Sequence, residues 1–206
     1  MSSALEPLTR VSLERAPDVC QDCVFWQSHG FKRPSKERWA QHLEDDWGPW
    51  GTLYYDSGGR LLGFMQCGPA GHFPRSAELP AGPPSADALL ITCVYITDES
   101  TPWVVQSLFL AVIGEAHDRG VKAIETFAYQ EADDASPRAG FQPHRTIFPA
   151  AFVGDFGFRS VRTEGRVELV RLEIAGLTPL PVEGWRRRLV RRVFERASPA
   201  PVPERP

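Results

Sequence analysis

The sequence lacks an apolar run that could cross a membrane. A spanning helix needs about 20 consecutive apolar residues, and no stretch of the 206-residue chain approaches that length. The first residues, MSSALEPLTRVSLE, also lack the basic and then apolar pattern of a secretory signal peptide. The net charge of −3 argues against nucleic acid as a general partner. We therefore expect a cytoplasmic protein with no membrane partner.

The sequence has few cysteines, and they do not complete a metal-binding pattern. Cys20 and Cys23 form a C-x-x-C motif, whereas Cys67 and Cys93 stand alone. A structural zinc site needs two more ligands at matching spacing, and neither a second C-x-x-C nor an H-x-x-x-H is present. We therefore expect no metal and interpret the cysteines as small buried side chains. A redox or metal role stays an alternative for the pair, because it falls near a predicted helix start at Asp18.

The 19 prolines are unevenly distributed and divide the chain. They concentrate in residues 69–84 and from residue 179 onward, which predicts a long internal loop and an irregular C-terminus. We therefore predict a domain at 1–178 and a tail at 179–206. Within the tail, residues 182–197 have the pattern of an amphipathic helix with arginines on one side. This arginine face is either a solvated surface or a contact for an acidic partner, nucleic acid or a membrane surface.

Hydrophobic periodicity and turn signals predict strands and helices in alternation. Strands are expected where apolar residues alternate or run continuously, and helices where they recur every three or four residues. The fold class that follows is α/β or α+β. The predicted elements are a strand at 8–14, helices at 18–28 and 35–48, strands at 51–55 and 60–67, a loop at 68–86, a strand at 88–96, a helix from 101 that ends at 118–120, a strand at 121–129, a short helix at 148–158, and strands at 158–162 and 166–174.

Four stretches of the sequence occur in a specific order. They read CQDCVFW, GPAGHFPRSAELPAGPPSADALLITCVYI, RGVKAIETFA and FVGDFGFRSVR, and a tryptophan–arginine helix is predicted after them. In this order they resemble the GNAT acyltransferase superfamily, and in detail an actinobacterial-type subgroup with a CxxCxFW start. The resemblance covers roughly residues 8–195. It implies a GNAT-like mixed, twisted sheet flanked by helices, followed by a C-terminal amphipathic helix.

The same resemblance implies a co-substrate and a place for it. Acetyl-CoA or another acyl-CoA would lie where the sheet opens between strands 88–96 and 121–129. Its pantetheine arm would pair with the backbone of the first of these strands. Its pyrophosphate would sit at the N-terminus of the next helix, where free N–H groups and the helix dipole favour an anion. The expected cofactor-binding residues are Val94, Tyr95, Ile96, Trp103, Val104, Val105, Gln106 and Ser107.

Two features of the sequence depart from the family pattern. The family's pyrophosphate loop starts with Arg or Gln and contains glycine, whereas residues 101–106 read TPWVVQ. Pro102 removes one N–H donor, and Trp103 and Gln106 add bulk near the expected phosphate. Family members often have a tyrosine that protonates the leaving thiolate, and Val153 occupies that position here. Both departures indicate weakened or altered CoA chemistry.

Aminolysis of a thioester needs a base for the amine and hydrogen-bond donors for the oxyanion and the thiolate. Glu125, in the strand beside the expected opening, is the first candidate base, and Asp87, at the start of the central strand, is the second. Tyr95 is a candidate donor to the thiolate. Each has an ordinary alternative, namely a solvated carboxylate or a packed tyrosine. Further candidates are Tyr129, His72 and His144.

Three functions are therefore considered. The first is an N-acyltransferase, in the simplest case an N-acetyltransferase, whose acceptor is an amine of a small molecule or a protein. The second is a catalytically silent GNAT-fold protein with a binding or regulatory role. The third is a redox or metal protein that uses Cys20 and Cys23. The sequence leaves the acceptor, the acyl chain and the oligomeric state open, with a homodimer among the options.

Overall fold

The structure, a computed structural model, describes residues 4–97, 103–130 and 144–175. The strands are β1 (Ala4–Pro7), β2 (Gly51–Tyr55), β3 (Leu61–Pro69), β4 (Ala88–Ile96), β5 (Ala123–Tyr129), β6 (His144–Arg145), β7 (Phe148–Pro149), β8 (Arg159–Glu164) and β9 (Val167–Glu173). The helices are α1 (Arg10–Leu13), α2 (Asp18–Gln21), α3 (Lys36–Trp47), α4 (Trp103–Asp118) and α5 (Ala150–Gly154). These elements form a mixed sheet with helices packed on it, which confirms the predicted fold class.

The sheet follows the order β1-β2-β3-β4-β5-β9-β8. Along this path β4 and β5 are parallel, and every other neighbouring pair is antiparallel. Two short strands lie off the path, because β6 pairs with β4 and β7 pairs with β5. The predicted tail at 179–206, with its helix at 182–197, lies outside the described residues, so the domain boundary stays a prediction.

Helices cover the two faces of the sheet separately. On one face, Trp39 and Leu43 of α3 pack with Trp50 and Phe64 of the sheet region. On the other face, α4 contributes a run of buried apolar residues that includes Phe109. We call these the α3 face and the α4 face. The predicted helices at 35–48 and from 101 are confirmed where the structure describes them, and Ser35 caps α3 by accepting from the N–H of Arg38.

The first predicted strand, at 8–14, is wrong. The strand that pairs with β2 is β1, and the chain then turns into α1. Thr9 and Ser12 form a reciprocal capping box, in which each side chain bonds the other residue's backbone N–H. Local capping therefore overrides the alternation that indicated a strand.

The helix predicted at 18–28 is reduced to the single turn α2. Backbone carbonyls beyond it bond to distant cations, since Cys23 O accepts from Lys36 Nζ and Phe25 O accepts from Arg75 Nε. These tertiary contacts replace the hydrogen bonds that would continue a helix. The segment after α2 is therefore not helical.

The proline-rich loop between β3 and β4 is tied to the folded body. It contains two 3-10 turns, Ala70–His72 and Pro74–Ala77. The indole N–H of Trp39 donates to His72 O at 2.8 Å, and Arg162 Nη1 donates to Ala81 O at 3.0 Å. The loop prediction is confirmed, and these contacts fix the loop against the α3 face and against β8.

Candidate functional site

The parallel strands β4 and β5 pair over only part of their length. Ala88, Leu89 and Leu90 are in register with Ala123, Ile124 and Glu125. Beyond these residues each strand has a different partner on its inner edge. The sheet therefore divides between β4 and β5 toward their carboxyl ends, at the place where the sequence analysis predicts an opening.

The chain itself enters this opening. In β6, Arg145 is in register with Val94 and His144 with Tyr95, and the pairing is antiparallel. The other edge of β4 is occupied by β3, in which Met65 is in register with Val94. The backbone expected to bind pantetheine thus has strand neighbours on both edges. A ligand that pairs with β4 at this place has to displace β6.

Helix α4 begins at the open end of β4. Trp103 packs edge-on against Tyr54 of β2, with ring centroids 5.6 Å apart, so its ring contacts β2 and does not fill the space between β4 and β5. Val104 and Val105 are buried in the core of the α4 face. Their side chains are therefore structural, and only backbone N–H groups of the first turn are suited to an anion. Residues 98–102, which include Pro102, lie outside the described part.

The remaining two predicted contacts in α4 are polar. Ser107 donates its hydroxyl hydrogen to Trp103 O at 3.1 Å. Gln106 has a buried Oε1 without a hydrogen-bond partner among the described residues. Neither contact reveals a ligand, so the predicted pyrophosphate site stays a prediction.

The two candidate bases contact the same arginine. Glu125 is fully buried, and its carboxylate accepts from Arg171 Nη1 at 3.0 Å and from the backbone N–H of Ser85 at 2.7 Å. Asp87 accepts from Nη1 and Nη2 of Arg171 at 3.0 and 3.1 Å. The Nε of Arg171 also contacts Glu173 at 2.6 Å. We call Arg171 and its three carboxylate partners, Asp87, Glu125 and Glu173, the Arg171 network.

The Arg171 network disfavours proton abstraction. Its hydrogen bonds lower the pKa of Asp87 below the usual 3.8, chiefly through Arg171, and they raise the pKa of Arg171. A carboxylate with a lowered pKa is a weak base. The buried carboxylate of Glu125 also has no open path to an amine. A base role for either residue stays a prediction that requires the network to rearrange.

The candidate donors are placed less tightly. Tyr95 is half-buried on the α3 face and packs with its core. The Nε2 atom of His72 lies 3.4 Å from Asp46 Oδ2, and the His72 carbonyl oxygen accepts from the indole N–H of Trp39. Val153, at the position of the family tyrosine, is buried in the α4-face core. Thiolate protonation by Tyr95 therefore stays a prediction, and Val153 has no role in it.

A recess on the α3 face was not found by the sequence analysis. We call it the Lys36 recess. Lys36 Nζ donates to Cys23 O at 3.0 Å and to Gln66 Oε1 at 3.2 Å, and it lies 4.6 Å from the ring centroid of Trp39. No local pattern in the sequence indicates it, because its lining residues come from separate segments of the chain. The residues that line the recess are Cys20, Cys23, Phe25, Trp26, Gln27, Lys36, Phe64, Gln66, Cys93 and Thr146.

The recess is electrostatically unusual. Burial lowers the pKa of Lys36 and raises the pKa of both Cys20 and Cys93 to about 12. The two thiols are therefore protonated and weakly nucleophilic near neutral pH. Among the described residues no group of three or more His, Cys, Asp or Glu side chains is arranged to hold a metal ion.

A search of the described helices for a membrane span finds none that is long and apolar enough. The predicted cytoplasmic location is not tested by this finding and stays a prediction.

Comparison with known proteins identifies the fold. No family model matches the sequence, and no curated protein matches it significantly. Among solved structures, yncA of Salmonella typhimurium, a candidate acetyltransferase solved with its cofactor acetyl-CoA, aligns with a TM-score of 0.50 at 10% identity, over 88% of this chain and 99% of that chain.

Two further structures align over similar lengths. The GNAT superfamily phosphinothricin acetyltransferase of Sinorhizobium meliloti, in complex with AcCoA, gives a TM-score of 0.49 at 14% identity, over 89% and 95% of the two chains. The ribosomal-protein-S18-alanine N-acetyltransferase of Escherichia coli gives 0.49 at 13%, over 87% and 98%. The alignment with yncA and the divided central pair of strands show that the described chain has the GNAT acetyltransferase fold.

Proposed function

We propose that the protein is an N-acyltransferase that moves an acyl group from acyl-CoA to an amine. The observation that carries this proposal is the division of the sheet between β4 and β5. The next helix, α4, offers free backbone N–H groups at its first turn, so the pantetheine arm beside β4 and a phosphate group at α4 would each have a binding place. Acetyl-CoA is the simplest donor, and the acceptor is an amine of a small molecule or a protein.

The reaction makes defined demands on the residues around the opening. The neutral amine attacks the thioester carbonyl, a C–N bond forms, the C–S bond breaks, and the thiolate leaves. The amine loses one proton to a base or to water, and the thiolate gains one. Tyr95, on β4 at the division, is our candidate for the proton donor. With Asp87 and Glu125 bound to Arg171, a water molecule in the opening is the better proton acceptor.

The proposal requires that β6 leaves β4. The N–H and C=O groups at one edge of β4 can pair with β6 or with a pantetheine arm but not with both. We therefore expect β6 to open when acyl-CoA binds. The segment is a two-residue strand, so few hydrogen bonds are lost when it separates.

Hydrogen–deuterium exchange with and without acetyl-CoA tests this expectation. Exchange should increase over residues 144–146, while the amides near Val94 stay protected because the ligand takes the place of β6. Thermal unfolding gives a second readout, because a ligand at 100 times its Kd stabilises the fold by about 2.7 kcal/mol. Pantetheine without the nucleotide is the matched control and should stabilise less. If neither CoA nor acetyl-CoA shifts unfolding at millimolar concentration, the acyltransferase proposal is wrong.

A second candidate is a GNAT-fold binding protein without catalysis. Two observations favour it, namely the occupation of the opening by β6 and the engagement of both candidate bases by Arg171. Binding of acetyl-CoA without acyl transfer to any of a broad set of amines would support this candidate. Transfer to an amine, detected as free CoA thiol above the rate of hydrolysis, would exclude it.

A further inference from the structure

The Lys36 recess contains a positive charge without a negative partner. Within the described residues no Asp or Glu forms an ion pair with Lys36, and its two hydrogen-bond acceptors, Cys23 O and Gln66 Oε1, are neutral. A second cation stands at the edge of the recess, where the guanidinium of Arg75 lies 4.7 Å from the ring centroid of Phe25. Partly buried charges are usually paired. The local charge therefore favours an anion.

The carboxamide of Gln66 in the recess is already engaged in hydrogen bonds. Gln66 Oε1 accepts from Lys36 Nζ and from Gln27 Nε2, and Gln66 Nε2 donates to Thr92 at 2.8 Å. A carboxamide oxygen has two lone pairs, and both are engaged. Any ligand that meets the remaining donors has to bring its own acceptor atoms.

At least one buried donor in the wall is without a partner. Trp26 lines the recess, is 2% exposed, and its Nε1 has no hydrogen-bond partner in the described part of the chain. Its ring is held by stacking on Phe127, at a centroid distance of 6.0 Å. An unpaired buried N–H is costly, and an acceptor placed in the recess would relieve that cost.

The walls and size of the recess restrict the ligand. Phe25, Trp26 and Phe64 form apolar walls, and Phe25 is 40% exposed at the edge. The empty volume of about 280 Å³ includes open solvent at the mouth, so the enclosed part of the recess has room only for a small group of atoms. A carboxylate group whose short stem leads out through the mouth matches this space and these donors.

We propose that the Lys36 recess binds the carboxylate group of a small aliphatic ligand. One carboxylate oxygen pairs with Lys36 and the other accepts from Trp26, while the stem leads to the mouth beside Phe25. The recess adjoins Cys93 of β4 and Thr146, which connects β6 and β7. If the proposed acyl transfer holds, on which this extension rests, the ligand is the acceptor, an amine that also carries a carboxylate.

Binding of butanoate tests the proposal on the protein without any CoA. Butanoate should bind measurably, as followed by titration with NMR or calorimetry, and its neutral isostere butanamide should bind at least tenfold more weakly. Lys36→Met should weaken butanoate at least tenfold and reduce the preference over butanamide. Trp26→Phe, which keeps the ring and removes the N–H, should weaken butanoate several-fold. Lys32→Met, at an exposed lysine four residues before Lys36 in the sequence, is the control and should bind butanoate like the wild type.

Equal affinity for butanoate and butanamide in the wild type overturns the proposal, and so does undiminished binding by Lys36→Met. The wild-type comparison needs no variant, so the test stands even if a substitution prevents folding. The result is independent of the acyltransferase proposal, because no acyl donor is present. If butanoate binds but acetyl-CoA does not, the recess remains a carboxylate-binding site, and only its proposed role as the acceptor site is wrong.

Discussion

Two cations beside the central strands have opposite surroundings. Arg171 of β9 forms ion pairs with Asp87, Glu125 and Glu173, whereas Lys36 contacts only neutral acceptors and indole rings in the described part of the chain. The charge of Arg171 is compensated by the protein's own residues, which is typical of a structural network. The charge of Lys36 is left for solvent or a ligand. The partners of a cation therefore indicate its role better than its burial does.

The largest effect is expected when the compensated cation is removed. Arg171→Met leaves the fully buried carboxylate of Glu125 with the Ser85 N–H as its one remaining donor among the described residues. Loss of one partner of a buried ion pair typically costs about 3 to 5 kcal/mol. The free energy of unfolding, measured by urea titration, should fall by this amount.

The control for Arg171→Met is Arg166→Met, at an exposed arginine in the β8–β9 turn. Its effect should stay within about 0.5 kcal/mol. Equal stability of the two variants would contradict a structural role for the Arg171 network and would return Glu125 to consideration as a base.

A smaller effect on stability is expected at the uncompensated cation. Lys36→Met leaves no buried carboxylate behind, and it removes a charge that burial disfavours, so stability should change by no more than about 1 kcal/mol. Because burial lowers the folded-state pKa of Lys36, the unfolded chain binds more protons between that pKa and the usual 10.5. The stability of the wild type relative to Lys36→Met should therefore rise with pH in that interval.

Urea titrations at several alkaline pH values check the expectation for Lys36, with Lys32→Met as the matched variant. A loss of stability as large as that of Arg171→Met would show that Lys36 is a structural cation. The contrast between the two cations would then disappear.

The smallest effect is expected at the exposed edge of the Arg171 network. The side chain of Asp87 is 46% exposed, so solvent weakens its pairing with Arg171. Its pKa lies below the usual 3.8 in the folded state. The stabilisation it supplies is therefore complete above the unfolded pKa and is lost as pH falls through the folded pKa. Wild type and Asp87→Asn should differ in melting temperature at pH 6 and converge in strong acid.

Asp155→Asn, at an exposed aspartate without a recorded ion pair among the described residues, is the control for Asp87→Asn. It should show no comparable pH dependence. A difference between wild type and Asp87→Asn that grows toward acid would contradict the lowered pKa of Asp87.

The order of elements could largely be predicted from the sequence, but their local geometry could not. The β2–β3 hairpin, the continuous apolar run of β4 and the helix α3 were predicted because periodicity and caps act over neighbouring residues. The strand at 8–14 and the long helix at 18–28 were wrong. In those segments a capping box and distant cations, Lys36 and Arg75, decide which hydrogen bonds form.

Candidate site residues were harder to assign from residue type. Glu125 and Asp87 have the chemistry of bases, yet their partner Arg171 is 46 and 84 residues away in sequence. Lys36 gave no signal as an isolated lysine at a helix start. Its neighbours in the recess come from separate segments around α2, from α3 and from the central strands, and no local pattern brings these together.

The sequence by itself determined which segments are strands or helices over most of the described chain, since backbone preference and apolar spacing are local properties. Tertiary structure alone decided that β6 enters the division between β4 and β5, that Arg171 pairs with two candidate bases, and that Lys36 has no counter-charge among the described residues. These features depend on the pairing of strands and charges that are distant in sequence, and such pairing is fixed only when the sheet forms.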